Sequence, residues 1–190
     1  MLSTLLFFHL LAVVGLFTGK GIELMALVRV WRASTLAELR AACLNVPVVG
    51  PLMGISLVLL IVMGVSMIYV GGFGWSQGWI DVVLAITIVL AIVGPAVTGK
   101  RAEALHAMAA RAGDGAITPA IDAARQDGAL RFLPWLSFFE LIAALYVMTT
   151  KPTLTLTIVI AIAAGCLAVV PSTMLRRQIA HTPTEADATV

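Results

Sequence analysis

The sequence predicts an all-α, polytopic transmembrane helical bundle of about five spans, and three observations support this prediction. Hydrophobic residues make up 61% of the 190 residues and charged residues 12%, against roughly 25% charged residues in soluble domains. The mean hydropathy is +1.04. The apolar residues form five runs, each close to the roughly 20 residues that a spanning helix needs. We therefore expect one membrane domain over residues 1–177, with the lipid bilayer as its solvent.

The first predicted span covers residues 2–19. No basic segment precedes it and no small-residue cleavage site follows, which favours a retained helix over a cleaved signal peptide. Residues 22–31 remain mostly apolar, so the helix is expected to continue past Lys20 to about Trp31. A helix of that length, about 45 Å, must tilt or protrude from the membrane.

Turn residues separate the later spans. A glycine-rich turn follows the second span, and Lys151-Pro152 forms a tight turn after the fourth. Gly94-Pro95 predicts a kink near the end of the third span. Alternating threonines open the fifth run in a strand-like pattern, but the run is too long for a strand, so a helix is favoured. These four spans are predicted at residues 48–70, 79–99, 132–149 and 153–175, and a polar, disordered tail is predicted at residues 178–190.

Residues 100–131 form the one sizeable segment predicted to lie outside the membrane. Glycines near residue 114 divide it into two short helices. Thr118 is suited to cap the second helix, with Pro119 at its first position, and Asp122 and Arg125 are spaced to pair. We expect a helical hairpin lying on the membrane face. No nucleic-acid-binding motif is present.

The positions of the charges predict the orientation. Eleven of the twelve Lys and Arg residues follow the first, third or fifth span, and Lys151 alone falls on the other side. The positive-inside rule then places the N-terminus outside and the C-terminus in the cytoplasm, in a bacterial inner membrane. Two tryptophans are expected in an aromatic belt at the outer boundary and two at the inner one: Trp75, Trp79, Trp31 and Trp135.

Glu140 is the residue most suggestive of function, because a carboxylate near the middle of a span is costly. Its neighbours at helical spacing are mainly small residues, Ser137, Ala143 and Ala144, which favours close helix packing. Glu140 is therefore expected to point into the bundle. Two interpretations stay open, a proton or cation site and a structural carboxylate that is protonated or hydrogen-bonded.

His9 is the one histidine predicted inside a span. It would lie about 10 Å from the outer end of its span, and Glu140 about 13 Å. A His9–Glu140 pair is therefore feasible if the first and fourth spans are neighbours. The pair could share a proton, bind a metal or form a plain hydrogen bond, which is the interpretation we favour.

Secondary candidates lie near this intramembrane polar centre of His9 and Glu140. Lys20 and Glu23 are interfacial if the first span ends at residue 19, or a semi-buried ion pair near a pore mouth if the membrane is centred nearer residue 15. Ser137 is the third candidate. Residues 15 and 19 also form a G-x-x-x-G pattern, which is typical of helix contacts.

Catalytic signatures are missing from the sequence. It carries no hydrolase triad, phosphate loop or zinc-ligand spacing, so we predict no enzyme, no cofactor and no metal site. Cys43 and Cys166 are interpreted as reduced thiols. A haem ligated by His9 and a methionine (Met63, Met67 or Met148) is a weaker alternative, because methionine in an apolar helix usually serves packing.

Three segments carry a resemblance to a known family. They are Phe8-His9-Leu10 followed by the glycines at 15 and 19, residues 51–64, and residues 145–152 ending in Met-Thr-Thr-Lys-Pro. Over about residues 1–175 the chain resembles predicted integral membrane proteins of domain-of-unknown-function family 2269, and distantly the membrane domain of copper-resistance D proteins. The resemblance implies a small bundle of four or five spans without an assigned activity. The copper link reaches only His9, and the chain lacks the further histidines and methionine-rich segments of a copper protein.

These observations lead to three functional hypotheses. The first is a small membrane protein that passes or senses a proton, cation or small solute through the polar centre. The alternative is a non-catalytic accessory subunit whose small-residue helix faces bind a membrane complex or a second copy in a homodimer. A metal- or haem-binding membrane protein is the weaker third.

Overall fold

The structure, a computed structural model, describes residues 1–43, 46–72, 75, 77–113 and 115–180. Helices account for almost all of these residues, and the one β-type contact among them is an isolated bridge between Thr35 and Ala116. The predicted all-α class is confirmed. In chain order the helices are α1 (Leu2–Arg32), α2 (Leu36–Cys43), α3 (Val46–Gly71), α4 (Gly78–Val93), a π-helical turn (Gly94–Gly99), α5 (Lys100–Arg111), α6 (Pro119–Arg125), α7 (Gly128–Thr150) and α8 (Leu154–Ala180).

Within the described residues, five helical stretches are long and apolar enough to cross a membrane, which confirms the predicted number of spans. They are Leu2–Arg32, Val49–Gly71, Gly78–Arg111, Pro119–Thr150 and Leu154–Met174. The fifth is helical from Leu154, as the length of its apolar run indicated. Helix α8 reaches Ala180, three residues into the predicted tail. The rest of that tail, residues 181–190, lies outside the described residues.

Helices α1 and α3 approach each other closely at Gly15 and Gly19. A Cβ atom on Gly15 would lie 2.2 Å from Ser56 Oγ, and one on Gly19 would lie 2.5 Å from Met53 Cγ. Such separations are far inside van der Waals contact, so a side chain at either position would require Ser56 or Met53 to move. The G-x-x-x-G pattern is confirmed as a helix contact, and its partner is α3.

Helices α2, α5 and α6 form a helical cap on the C-terminal part of α1. Its core is a continuous cluster of buried apolar side chains, including Leu27, Trp31, Leu39, Leu105, Ala109 and Ile121. The two short helices predicted within residues 100–131 are present as α5 and α6, and their placement on the membrane face stays a prediction. Since α1 continues to Arg32 with an apolar face, the short helices bury their own apolar sides against it. Trp31 belongs to this core, at 1% exposure, and is not a lipid-facing belt residue.

Polar contacts complete the cap. Arg125 Nη1 donates to the Ala33 carbonyl at 2.6 Å, and Trp31 Nε1 donates to the Arg125 carbonyl at 3.1 Å. The predicted pair of Asp122 and Arg125 is present at 2.6 Å. The predicted cap is also confirmed, because Thr118 Oγ1 accepts from the backbone N–H of Ile121. The cap is thus a packed subdomain fixed to α1.

Candidate functional site

A cavity of about 580 Å³ lies between α1, α3, α4 with its π-helical turn, and α7. Its volume falls within the roughly 300–1,000 Å³ of small-molecule pockets. Most of its walls are apolar, with Val13, Leu16, Leu57, Leu60, Leu90 and Leu141 among the lining residues. The cavity is therefore a largely apolar space between helices that are long and apolar enough to span a membrane.

Four of the five predicted site residues line this cavity: Lys20, Glu23, Ser137 and Glu140. The first two belong to α1 and the last two to α7, so the fold brings together side chains more than a hundred positions apart in the sequence. His9, the fifth, does not line it. The polar centre therefore has a different composition from the predicted His9–Glu140 pair.

Glu140 is buried, with 8% of its surface exposed. No described residue forms a hydrogen bond or ion pair with its carboxyl group. Across from it lies Gly165 of α8, where a Cβ atom would be 4.0 Å from Glu140 Oε1. Glu140 thus points into the bundle, between the cavity and α8.

The Glu140 carboxyl oxygens are not sealed off. In the described part of the chain, the side-chain polar atoms that are both fully enclosed and unpartnered are Arg131 Nε and Trp135 Nε1. The Glu140 oxygens are not among them, so they keep some accessible surface, and Glu140 is a lining residue of the cavity. An unpartnered carboxyl group in an apolar interior must be neutral or balanced by a cation. The geometry therefore suits reversible uptake of a proton or a cation.

Lys20 and Glu23 form an ion pair, with Lys20 Nζ 2.5 Å from Glu23 Oε2. Their side chains are 10% and 18% exposed, so the pair is largely covered by protein, and its position relative to the membrane stays a prediction. The three-residue spacing on α1 places both on one helix face. Since Glu23 already balances Lys20, no described cation neutralises Glu140.

Ser137 lies one helical turn before Glu140. Its hydroxyl is within hydrogen-bonding distance of the Leu133 and Pro134 carbonyls, at 3.0 and 3.1 Å. Pro134 lies inside α7 and cannot donate a backbone hydrogen bond. The Ser137 hydroxyl therefore donates a hydrogen bond to the α7 backbone and also adds a polar group to the cavity wall.

His9 contacts α3 instead of α7. Its Nδ1 donates to the Leu60 carbonyl at 3.2 Å, and a Cβ atom on Gly64 would lie 3.3 Å from His9 Cε1. No hydrogen bond joins His9 to Glu140 in the described structure. The predicted pair is absent because a backbone carbonyl, which sequence spacing does not reveal, takes the ring nitrogen. Met148 lines the cavity and His9 does not, and the haem alternative stays a prediction.

The π-helical turn supplies part of the cavity that the sequence analysis missed. Gly94, Pro95, Thr98 and Gly99 all line the cavity. Turns of this kind are frequent at functional sites, where they redirect side chains and backbone groups. The sequence did predict a kink at Gly94-Pro95. It did not reveal that the kinked segment lines the same cavity as Glu140.

Two further polar residues of the cavity were also missed. Thr87 of α4 donates its hydroxyl to the Val83 carbonyl at 2.7 Å, and Glu103 of α5 joins the lining beyond the π-helical turn. Glu103 is exposed, which places it at the mouth of the cavity. Among the described residues, no three His, Cys, Asp or Glu side chains gather into a metal-binding group. The carboxylates of the cavity are thus spread along it.

Five apolar helical spans, four of which border a partly charged cavity, define a polytopic α-helical integral membrane protein. Residues 3–152 match the family model described as "Predicted integral membrane protein (DUF2269)", and the chain belongs to this family. The match confirms the family resemblance and contains every residue that lines the cavity. No curated protein and no solved structure matches the chain.

Proposed function

We propose that the protein takes up and passes a proton or a monovalent cation at Glu140. The observation that carries the proposal is a buried carboxyl group that has no partner among the described residues and borders a cavity. Such a group is costly unless it is protonated or paired with a cation. Alternation between these two states is the chemistry that the site offers.

The charges of the cavity favour a cation over an anion. Three carboxylates, Glu23, Glu103 and Glu140, line it together with one described lysine, Lys20. Because Lys20 and Glu23 neutralise each other, the ionisable groups that remain in the described lining, Glu103 and Glu140, are both acidic. An anion would be disfavoured by the electrostatic field of these acidic groups and by the free-energy cost of losing its hydration.

We also propose an orientation in a bacterial inner membrane. The N-terminus lies outside, and the helical cap and the C-terminus lie in the cytoplasm. The support is the strong excess of Lys and Arg on the cap side of the chain. Glu103 then lies at the cytoplasmic end of the cavity.

Proton flux into proteoliposomes tests the proposal. A potassium diffusion potential drives the flux, and a pH-sensitive dye inside the vesicles reports it. The wild type should conduct, and Glu140→Gln should lower the rate at least about tenfold, equivalent to about 1.4 kcal/mol. Asp81→Asn is the matched control, because Asp81 is an exposed carboxylate of α4 that is not part of the cavity lining.

An unchanged rate in Glu140→Gln would refute the proposal. The same preparation tests the accessory-subunit alternative, since a stoichiometric co-purifying chain together with an indifferent Glu140→Gln variant would favour it. Glutamine matches the protonated form of glutamate in shape and in charge, so the variant should fold.

A further inference from the structure

We propose that the ligand of this cavity is an organic monovalent cation with a bulky apolar body, of the quaternary ammonium or arylphosphonium type. This inference rests on the proposed cation function of Glu140 and names its substrate class. It follows from three properties of the cavity: its walls, its single buried anionic anchor and the spacing of its carboxylates.

The walls suit an apolar body. The cavity of about 580 Å³ is bordered mainly by aliphatic side chains and by methionines such as Met53 and Met148. A hydrated inorganic ion gains nothing from such walls and loses its water. An organic cation buries its hydrocarbon groups there, at about 25 cal/mol per Å² of apolar surface, and methionine adapts to ligands of different shape.

The anchor is a single carboxylate. Glu140 is 8% exposed and has no partner among the described residues, while Lys20 is held by Glu23 at 2.5 Å. No described cation therefore competes with a ligand for Glu140. One carboxylate balances one positive charge, which selects monovalent over divalent cations.

The carboxylates do not form a cage. Small inorganic cations require several oxygen ligands at short, fixed distances, and the described residues contain no convergent group of three His, Cys, Asp or Glu side chains. A charge spread over a large organic ion needs no such cage. Glu103, exposed at the mouth, raises the local concentration of cations of either kind.

Binding and proton release are linked in this scheme. The empty site holds Glu140 as the neutral acid. When the organic cation enters, the acid proton leaves to water and the carboxylate balances the bound charge. The net charge of the buried site is the same before and after the exchange, so neither state leaves an isolated ion in the apolar interior.

Binding of tetraphenylphosphonium to the full-length protein in detergent tests this inference, with isothermal titration calorimetry at several pH values. We expect saturable binding whose affinity falls about tenfold per pH unit once the pH is low enough to protonate the site. Two comparison compounds separate the contributions. Tetramethylammonium lacks the apolar body and triphenylphosphine oxide lacks the charge, and both should bind at least about tenfold more weakly.

The variants add a second test. Glu140→Gln should lower the tetraphenylphosphonium affinity at least about tenfold, whereas Asp81→Asn should match the wild type. Ala144→Leu keeps the Glu140 carboxylate and narrows the cavity that Ala144 lines. It should therefore weaken the binding of tetraphenylphosphonium more than the binding of tetramethylammonium. The pH competition uses the wild type alone and is independent of how any variant folds.

Three results would overturn the inference. They are equal binding of the neutral compound, binding that is indifferent to pH, and equal binding by Glu140→Gln. If any of these occurs while proton flux still depends on Glu140, the substrate class is wrong and the proposed function stands. If the proton flux is also unchanged in Glu140→Gln, both the substrate class and the proposed function are wrong.

Discussion

At the scale of single residues, Arg125 joins the helical cap to α1. It is 9% exposed, donates to the Ala33 carbonyl at 2.6 Å and pairs with Asp122. Arg125→Met removes these donors and leaves a buried carbonyl without its charged partner. Since a charge-assisted hydrogen bond contributes about 1.5–3 kcal/mol, we expect a clear drop in the thermal unfolding temperature of the detergent-solubilised protein.

The control for this prediction is Arg111→Met. Arg111 is exposed at the end of α5 and has no partner among the described residues, so the change should stay within about 0.5 kcal/mol. Arg125→Met should also speed proteolysis between α5 and α6, where the cap would open. Equal melting temperatures for the two variants would show that Arg125 does not hold the cap.

The reactivity of Cys43 is a second prediction at this scale. Cys43 is 3% exposed in the core of the cap, and burial raises the pKa of its thiol above the ordinary value. A raised pKa means less thiolate at any given pH, and the thiolate is the reacting form. In a Cys166→Ser background, a hydrophilic maleimide should label Cys43 slowly at pH 7.5 and faster as the pH rises.

Denaturation provides the reference rate for that experiment. Once the protein is unfolded in detergent, Cys43 should react as quickly as a small free thiol. Fast labelling of the folded protein at pH 7.5 would mean that the cap opens readily, which would contradict the packed core of α2, α5 and α6.

At the scale of helices, the contact between α1 and α3 depends on Gly15. A methyl group there would lie 2.2 Å from Ser56 Oγ, and Ser56 is itself buried. Gly15→Ala should therefore destabilise the protein by about 1–3 kcal/mol, the usual cost of overpacking. Adding Ser56→Ala removes the clashing hydroxyl and should recover part of the loss. The measurement is thermal unfolding in detergent.

Gly21→Ala is the matched control on the same helix, because nothing lies within 4 Å of a Cβ atom at that position. It should be no less stable than the wild type, because alanine favours a helix by about 0.5–1 kcal/mol over glycine. If Gly15→Ala were equally silent, or if Ser56→Ala gave no recovery, the close approach of α1 and α3 would be wrong.

The helices were more predictable than their contacts. A run of about 20 apolar residues can be recognised as a spanning helix, because few other structures satisfy the backbone hydrogen bonds in lipid. The extension of α1 to Trp31 was also expected. His9 shows the limit, since its partner is the Leu60 carbonyl and every residue has a carbonyl. Glu140 was found because a charge in an apolar run is conspicuous. The cavity beside it could not be predicted from the sequence, because four helices and a π-helical turn create it together.

At the scale of the whole molecule, successive connections between the five spans are expected on alternate sides of the membrane, so they form two groups. Connections after the first and third spans form the helical cap, and those after the second and fourth are short, around residues 72–77 and 151–153. The cap gathers Arg40, Arg101, Arg111 and Arg125 on one side. This asymmetry predicts that the cap stays in the cytoplasm, because positively charged loops are translocated least readily.

Single cysteines provide the test of this topology. In a background with both native cysteines replaced by alanine, Gly113→Cys reports the cap side and Thr153→Cys the other side. Both positions are exposed, and a Cβ atom on Gly113 would meet nothing within 4 Å. A membrane-impermeant maleimide applied to intact spheroplasts should label Thr153→Cys at once and Gly113→Cys only after permeabilisation. The reverse pattern would turn the cavity mouth at Glu103 outward, and equal labelling of both would mean that the protein inserts in two orientations. Because either result would change the side from which a cation reaches Glu140, this experiment fixes the direction in which proton exchange at the site could work.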